Sequence, residues 1–210
     1  MEHKDQLEHI EKLMTRSTRF ISLSGLSGIG AGIVALVGAF VANLLVGSTR
    51  SMEYSHYGPR DLGEVTVPFS LLIQLGIIAG AVLIGSGLIA FYFSHKRAKR
   101  IGASVFDQSA KRLLGAFFPS MIVGGLFCGV LLIWDFYILI IPSTLLFYGL
   151  ALLNASKFTL DEIQYLGISE LILGLVCSFL PEYSYYFWSL GFGVLHILYG
   201  IAMYMKYEKA

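Results

Sequence analysis

The sequence carries little charge for its length. Only 14% of its 210 residues are charged, whereas 56% are hydrophobic, and the mean hydropathy is +0.71. A soluble protein of this size needs more charged side chains to cover its surface. The shortage of charge therefore argues against an ordinary soluble domain and favours a protein that lies largely in a bilayer.

Cysteine is scarce as well, and the motifs of common enzymes are missing. The two cysteines, Cys128 and Cys177, fall inside apolar runs without a C-x-x-C or Cys/His spacing, so neither a metal site nor a disulfide framework is predicted. No P-loop, H-E-x-x-H or Ser/His/Asp arrangement is visible, and a haem would need a second histidine facing His196 inside the membrane. We expect a non-enzymatic protein without a cofactor.

Long apolar runs, by contrast, are abundant. Six runs have the length of a membrane span, at about 20–47, 69–94, 113–133, 136–154, 163–180 and 184–204. The third and fourth are separated only by "WDF" (134–136), so the chain must turn near Asp135, which is expected to cap the fourth helix. The sequence predicts an all-α, polytopic membrane protein with six transmembrane helices.

The basic residues predict an orientation. If the N-terminus is inside, all Lys and Arg residues except Arg50 and Arg60 lie on the cytoplasmic side. We therefore expect a protein of the inner membrane with both termini in the cytoplasm. The cluster "HKRAKR" (95–100) then reflects topology and contact with lipid headgroups, and no nucleic-acid partner is needed to explain it.

Two segments outside the spans are candidates for contacts with partners. Residues 1–19 place apolar residues at helical spacing between charges, which predicts an amphipathic helix on the cytoplasmic surface, followed by a transmembrane domain at 20–210. A partner-binding helix is the alternative. The external loop 48–68 is a candidate lid or a second candidate contact surface, so a homo-oligomer or a membrane partner protein is one expectation.

Glycine is plentiful and ordered. Among the 23 glycines, small residues recur seven positions apart, which is two helical turns and puts each pair on one face where another backbone can approach closely. The pairs are Gly25 and Gly32, Gly80 and Gly87, Gly149 and Ser156, Gly167 and Gly174, and Gly193 and Gly200. Residues 25–34 also align with 167–176. We interpret the chain as three helical hairpins on one template, with the middle hairpin degraded.

The last hairpin resembles a known family. The segment 166–200 has Leu-Gly entering its first helix, Leu-Gly a heptad later, Pro181 at the turn, and then two glycines seven apart. This pattern is similar to the hairpin of the HdeD family, small bacterial membrane proteins of six helices linked to acid stress. The resemblance is clearest over these residues and implies a role in envelope or acid-stress tolerance. The chain departs from the family in its charged N-terminus, its long first external loop and its polar residues within this hairpin.

Those polar residues are Glu170 and His196. Each lies between the two glycines of its own helix, and both are 13 positions from the turn near residue 183, so they should lie at equal depth and touch. In a structural interpretation they form a hydrogen bond that joins the fifth helix to the sixth. In a functional interpretation they mark a proton or ion path. Pro142 is expected to kink the fourth helix.

Three functional hypotheses follow from these patterns. The first is an HdeD-like membrane protein of stress tolerance. The second is a small channel or proton-linked transporter that uses the Glu170–His196 pair. The third is an accessory subunit of a membrane complex.

Overall fold

The computed structural model describes residues 20–54, 67–102 and 107–209, of which residues 48–54 are described by their backbone only. The described part is helical, without strands, and contains six helices long and apolar enough to cross a membrane. The prediction of a multi-pass, all-helical protein is confirmed. The predicted amphipathic helix at 1–19 and most of the predicted external loop lie outside the described residues.

The six helices follow one another along the chain. They are α1 (Gly25–Tyr54), α2 (Phe69–Arg100), α3 (Gln108–Ile133), α4 (Ile140–Ser156), α5 (Asp161–Phe179) and α6. Helix α6 is continuous but changes type, from α-helix (Ser184–Trp188) through π-helix (Ser189–Leu195) to α-helix (His196–Tyr207). Single 3₁₀ turns precede α4 (Tyr137–Leu139) and α6 (Pro181–Tyr183).

The first helix begins five residues later than the hydropathy predicts. Residues 20–24 are not helical, because hydrogen bonds tie their start to the connection between α4 and α5. The Phe20 amide donates to the Phe158 carbonyl at 2.6 Å, and the Thr159 hydroxyl donates to the Phe20 carbonyl at 2.8 Å. Hydropathy reports burial of these residues but cannot distinguish a spanning helix from an apolar segment that packs at its entrance.

The turn between α3 and α4 is where the sequence places it, but Asp135 does not cap a helix. Asp135 has a positive φ of 59°, a conformation that Asp tolerates better than most residues. Its carboxylate accepts a hydrogen bond from the Tyr137 hydroxyl. The cap position before the 3₁₀ turn is Phe136, which makes no side-chain capping bond, so the capping prediction is wrong by one residue.

Pro142 lies in the first turn of α4. The 3₁₀ turn ends at Leu139 and the α-helix begins at Ile140, so the change of helix type falls just before the proline. Amide groups in the first turn of a helix have no acceptor within that helix, so a proline there costs no helical hydrogen bond. The Ser143 hydroxyl donates to the Leu139 carbonyl at 2.7 Å across this junction. The kink at Pro142 stays a prediction.

The contacts between helices differ from those expected for three separate hairpins. Helix α1 packs between α2 and α6, and α4 packs between α3 and α5. The sequence neighbours α5 and α6 contact each other less extensively than they contact α4 and α1, respectively. The pairs α1/α2 and α3/α4 do pack as hairpins, but the common template remains a prediction.

The glycine faces of α1 and α6 are directed toward each other. A Cβ built on Gly32 would lie 2.6 Å from the Gly193 carbonyl oxygen, and one on Gly200 would lie 2.7 Å from the Gly25 carbonyl oxygen. Real Cβ atoms do not approach that closely. Glycine at these positions therefore lets the two backbones meet, as small residues do in membrane helix pairs.

A second glycine contact joins α4 to α5. A Cβ on Gly149 would lie 2.9 Å from the Gly167 carbonyl oxygen, and one on Gly174 would lie 2.8 Å from Leu146 Cγ. The faces of α5 and α6 that carry glycine pairs are thus directed toward α4 and α1, not toward each other. These glycine pairs therefore do not join the two helices of the last hairpin to each other.

The glycines of α2 behave differently from the prediction. No heavy atom of the described residues lies within 4 Å of a Cβ built on Gly80 or Gly87. Helix α2 instead packs on α1 through larger side chains, with Ile89 against Gly30 and Val82 against Gly38. Small residues thus recur along α2 as predicted, but the face that carries them does not contact the described helices.

At the end of the bundle where α1 begins, Glu208 joins three helices. Its carboxylate accepts hydrogen bonds from the Gly25 amide at 2.6 Å and the Ser24 hydroxyl at 3.1 Å, and it lies 3.4 Å from Arg97 of α2. Arg97 also donates to the Leu23 carbonyl. A carboxylate at a helix N-terminus satisfies free amide groups and complements the helix dipole, so the end of α6 stabilises the start of α1.

Candidate functional site

The candidate site lies halfway along α5. Glu170 is the central residue of this 19-residue helix, about 13 Å from either end at 1.5 Å per residue. Its side chain is 0% exposed. An intramembrane ionisable residue at this depth is costly and is therefore a functional candidate.

Glu170 has no hydrogen-bond partner among the described residues. Both of its carboxyl oxygens are inaccessible and unpaired. His196 of α6 lies beside it, with the imidazole Nδ1 3.6 Å from Glu170 Oε1. That separation is within the range of an ion pair but too long for a hydrogen bond. The predicted Glu170–His196 hydrogen bond is therefore not formed, although the two side chains do lie side by side.

Both ring nitrogens of His196 instead form hydrogen bonds with other groups. Its Nδ1 lies 3.0 Å from the Gly191 carbonyl oxygen, one π-helical turn earlier in α6. Its Nε2 lies 2.7 Å from the hydroxyl of Tyr148, on α4. The imidazole is thus held by α4 and by its own helix, and it is 7% exposed.

Aromatic rings fix the orientation of this imidazole. The Phe192 ring stacks on His196 with a centroid distance of 6.1 Å and an interplanar angle of 21°. Tyr148 packs against Phe192 at 5.0 Å and against Phe117 of α3 at 6.0 Å. Helices α3, α4 and α6 therefore contribute to one apolar wall around the polar groups.

Gly191 makes room for the carboxyl group. A Cβ at this position would lie 2.5 Å from Glu170 Oε2 and 2.8 Å from Leu145 Cδ2. Helix α1 reaches the same level with Gly28, where a Cβ would lie 3.1 Å from the His196 carbonyl oxygen. The site is thus tightly packed from α1, α4 and α6.

Sequence reasoning missed Tyr148 and Gly191. Tyr148 gave a usable signal, because a tyrosine in the middle of an apolar span needs a hydrogen-bond partner for its hydroxyl. Gly191 gave none, because it stands outside the seven-residue periodicity and its contact depends on the π-helix between Ser189 and Leu195. π-helical turns are rare and frequently lie at functional sites.

The two cysteines and a possible metal site remain to be considered. Cys177 is buried and Cys128 is partly buried, and both thiols are free. Within the described ranges, no group of three or more His, Cys, Asp and Glu side chains is placed to hold a metal ion. The chemistry available at the site is therefore that of a carboxyl group, an imidazole and a phenol.

Comparisons of the chain with protein families, with curated proteins and with solved structures found no match. The fold and the site define the class directly: a multi-pass membrane protein with six apolar helices in its described residues and an ionisable side chain enclosed midway along one of them.

Proposed function

We propose that this is a non-enzymatic protein of the bacterial inner membrane that acts in acid or envelope-stress tolerance, with Glu170 as the group that takes up and releases a proton. The observation that carries the proposal is the full burial of Glu170 without a hydrogen-bond partner among the described residues. The resemblance of residues 166–200 to the HdeD family supports the stress role.

A purely structural role for Glu170 is disfavoured by its surroundings. Buried polar groups that stabilise a fold are hydrogen-bonded, and an unsatisfied one costs free energy. The two ring nitrogens of His196 are already occupied by Gly191 and Tyr148, so the carboxyl group joins no helices through a described hydrogen bond. A side chain that costs stability and forms no such bond is best explained by function.

A proton-linked transporter or small channel is the second candidate. The observation in its favour is the position of Glu170 beside His196 and Tyr148, which extends polar groups from α5 across to α4. Such neighbouring ionisable groups mark proton paths in membrane proteins. Net proton movement across the membrane distinguishes this candidate from a protein that only responds to acid.

We expect Glu170→Gln to fold normally but to lose its response to acid, because an amide has nearly the same shape and cannot exchange a proton. The purified variant is reconstituted in liposomes of phosphatidylethanolamine and phosphatidylglycerol, and internal pH is followed with a trapped dye after external acidification. Cells that produce the same variant are tested for survival in acid. The matched control is Glu162→Gln on the same helix, which removes a carboxylate paired at 2.7 Å with Lys206 near the helix end.

The outcomes separate the candidates. Proton uptake by the wild type that is lost in Glu170→Gln supports the transporter. Survival in acid that depends on Glu170 without proton uptake supports the stress-tolerance protein. If Glu170→Gln matches the wild type in both assays, Glu170 has no proton-linked role.

The proposed orientation gives a separate prediction. In a variant with both native cysteines replaced by alanine, Glu182→Cys should react with an impermeant maleimide on intact cells, because the turn before α6 faces outward. Lys157→Cys, between α4 and α5, should react only after the membrane is permeabilised. Both positions are exposed. Labelling of both from the same side contradicts the topology, and the reverse pattern contradicts the cytoplasmic placement of the termini.

A further inference from the structure

The backbone carbonyl of Gly191 selects which ring nitrogen of His196 carries the hydrogen. A carbonyl oxygen can only accept, so the hydrogen in the 3.0 Å contact between Nδ1 and the Gly191 oxygen lies on Nδ1. The Tyr148 hydroxyl, 2.7 Å from Nε2, can donate or accept and therefore fits either state of that nitrogen. Of these two contacts, only the one with Gly191 determines the tautomer, and it places the hydrogen of a neutral ring on Nδ1.

The helix type of α6 brings this carbonyl to the imidazole. One turn of π-helix connects positions five apart, whereas one turn of α-helix connects positions four apart. Gly191 is five residues before His196 and lies inside the π-helical segment Ser189–Leu195. A carbonyl oxygen has two lone pairs, so the Gly191 oxygen can accept from the imidazole in addition to a backbone amide. The local change of helix type therefore provides the acceptor for Nδ1.

The same contact leaves Glu170 without a partner on the imidazole. Glu170 Oε1 lies 3.6 Å from Nδ1, but the hydrogen on Nδ1 is directed to Gly191. The lone pair of the neutral ring is on Nε2, beside the Tyr148 hydroxyl, so Nδ1 cannot accept a proton from Glu170. Among the described residues, the titratable groups that face His196 are Tyr148 from α4 and Glu170 from α5, while α1 approaches with Gly28.

Gly191 also contacts the carboxyl group. A Cβ at this position would lie 2.5 Å from Glu170 Oε2, so any side chain larger than hydrogen would displace the carboxyl group. One residue of α6 thus meets both ionisable side chains, the imidazole through its carbonyl and the carboxyl group through its missing side chain.

We propose that Gly191 is the positioning residue of this site: its carbonyl holds the imidazole hydrogen away from Glu170, and its missing side chain leaves the space in which the carboxyl group stays unpaired. The exchange of a proton by Glu170 rests on the proposed function. The His196 tautomer and the contact between Gly191 and Glu170 are independent of it.

A methyl group at Gly191 should disturb the carboxyl group directly. In Gly191→Ala the carboxyl group must move relative to the imidazole, and a carboxyl group in new surroundings holds its proton differently. We therefore expect a shifted pH profile of acid survival or proton uptake. We also expect a lower unfolding midpoint in sodium dodecyl sulfate. This loss should be smaller when Gly191→Ala is made in a Glu170→Ala background, where the side chain is too short to reach Gly191.

The tautomer is tested by nitrogen NMR of the full-length protein with ¹⁵N-labelled histidine, reconstituted in lipid. The chain has five histidines, and the His196 signals are assigned by their loss in His196→Gln. For the neutral ring of the wild type we expect a hydrogen on Nδ1 and none on Nε2. A neutral His196 with its hydrogen on Nε2 overturns the proposal, even if Glu170 proves essential.

The matched control is Gly193→Ala on the same helix, whose Cβ would meet the Leu36 side chain instead of Glu170. It should lower the unfolding midpoint equally with and without Glu170→Ala, and it should leave the pH profile unchanged. An equal loss of stability for Gly191→Ala in both backgrounds overturns the proposal, as does a folded Gly191→Ala with an unchanged pH profile. The tautomer and the unfolding midpoints are read without any flux or survival assay, so a failed Glu170→Gln test remains distinguishable from a failure here.

Discussion

Replacing Glu170 by leucine should make the protein more stable, by about 1–3 kcal/mol in free energy of unfolding. The substitution exchanges a fully buried carboxyl group without a described hydrogen bond for an apolar side chain of similar size. The desolvation cost of the carboxyl group disappears, and no described hydrogen bond is lost. Unfolding is followed by circular dichroism in mixed micelles with increasing sodium dodecyl sulfate.

The same variant should lose the acid response, because stability and function oppose each other at a site that buries an unsatisfied group. A more stable but inactive Glu170→Leu therefore supports a functional carboxyl group. A substantial loss of stability contradicts it, because that result requires a hydrogen bond that the described geometry lacks.

The His196→Leu variant is the comparison for Glu170→Leu, because His196 forms hydrogen bonds and Glu170 does not. It leaves the Tyr148 hydroxyl and the Gly191 carbonyl without their partner, so stability should fall by about 1–3 kcal/mol. Because the two side chains are in contact without a hydrogen bond between them, the Glu170→Leu, His196→Leu double variant should show only a small coupling, of about 0.5–1 kcal/mol. If the two residues instead form the hydrogen bond predicted from sequence, the double variant will be more stable than the sum of the single changes allows.

The second large effect is expected at Gly200. Leucine there should destabilise the fold by about 3 kcal/mol, because a Cβ would lie 2.6 Å from the backbone nitrogen of Ile29, and a backbone in a packed helix cannot move aside cheaply. Leucine at Gly193 should cost less, since its Cβ would meet the Leu36 side chain, which can change rotamer. The measurement is the same unfolding titration.

Gly87→Leu serves as the matched control on another helix. No described heavy atom lies within 4 Å of its Cβ position, so the free energy of unfolding should remain within about 0.5 kcal/mol of the wild type. Equal losses at all three positions would show that the glycine face of α2 is packed. Equal tolerance would show that α1 and α6 do not meet as described.

The candidate site was only partly accessible from sequence. Glu170 and His196 were found because ionisable residues stand out in apolar runs, and counting from the turn placed them at one depth. Their actual partners could not be counted in this way. Tyr148 lies on α4, and whether its hydroxyl points toward His196 depends on how α4 crosses α6, which no local pattern records.

The six helices were determined by the sequence alone. In hydrocarbon every backbone amide and carbonyl must be satisfied within the segment, so an apolar run of about 20 residues has one practical conformation. This is why the number of spans and the turn near Asp135 followed from composition. Exact helix starts did not, because residues 20–24 are apolar enough to span but are held by Phe158 and Thr159.

The tertiary structure decided which face of each helix meets which neighbour. A helix face of small residues shows that another backbone can approach closely, but it does not show which helix that backbone belongs to. The stripes of α5 and α6 met α4 and α1, and the stripe of α2 met no described residue. Which helices meet depends on the shapes of several helices packed together. Only that packing directed His196 toward Tyr148 and left Glu170 beside the imidazole without a hydrogen bond.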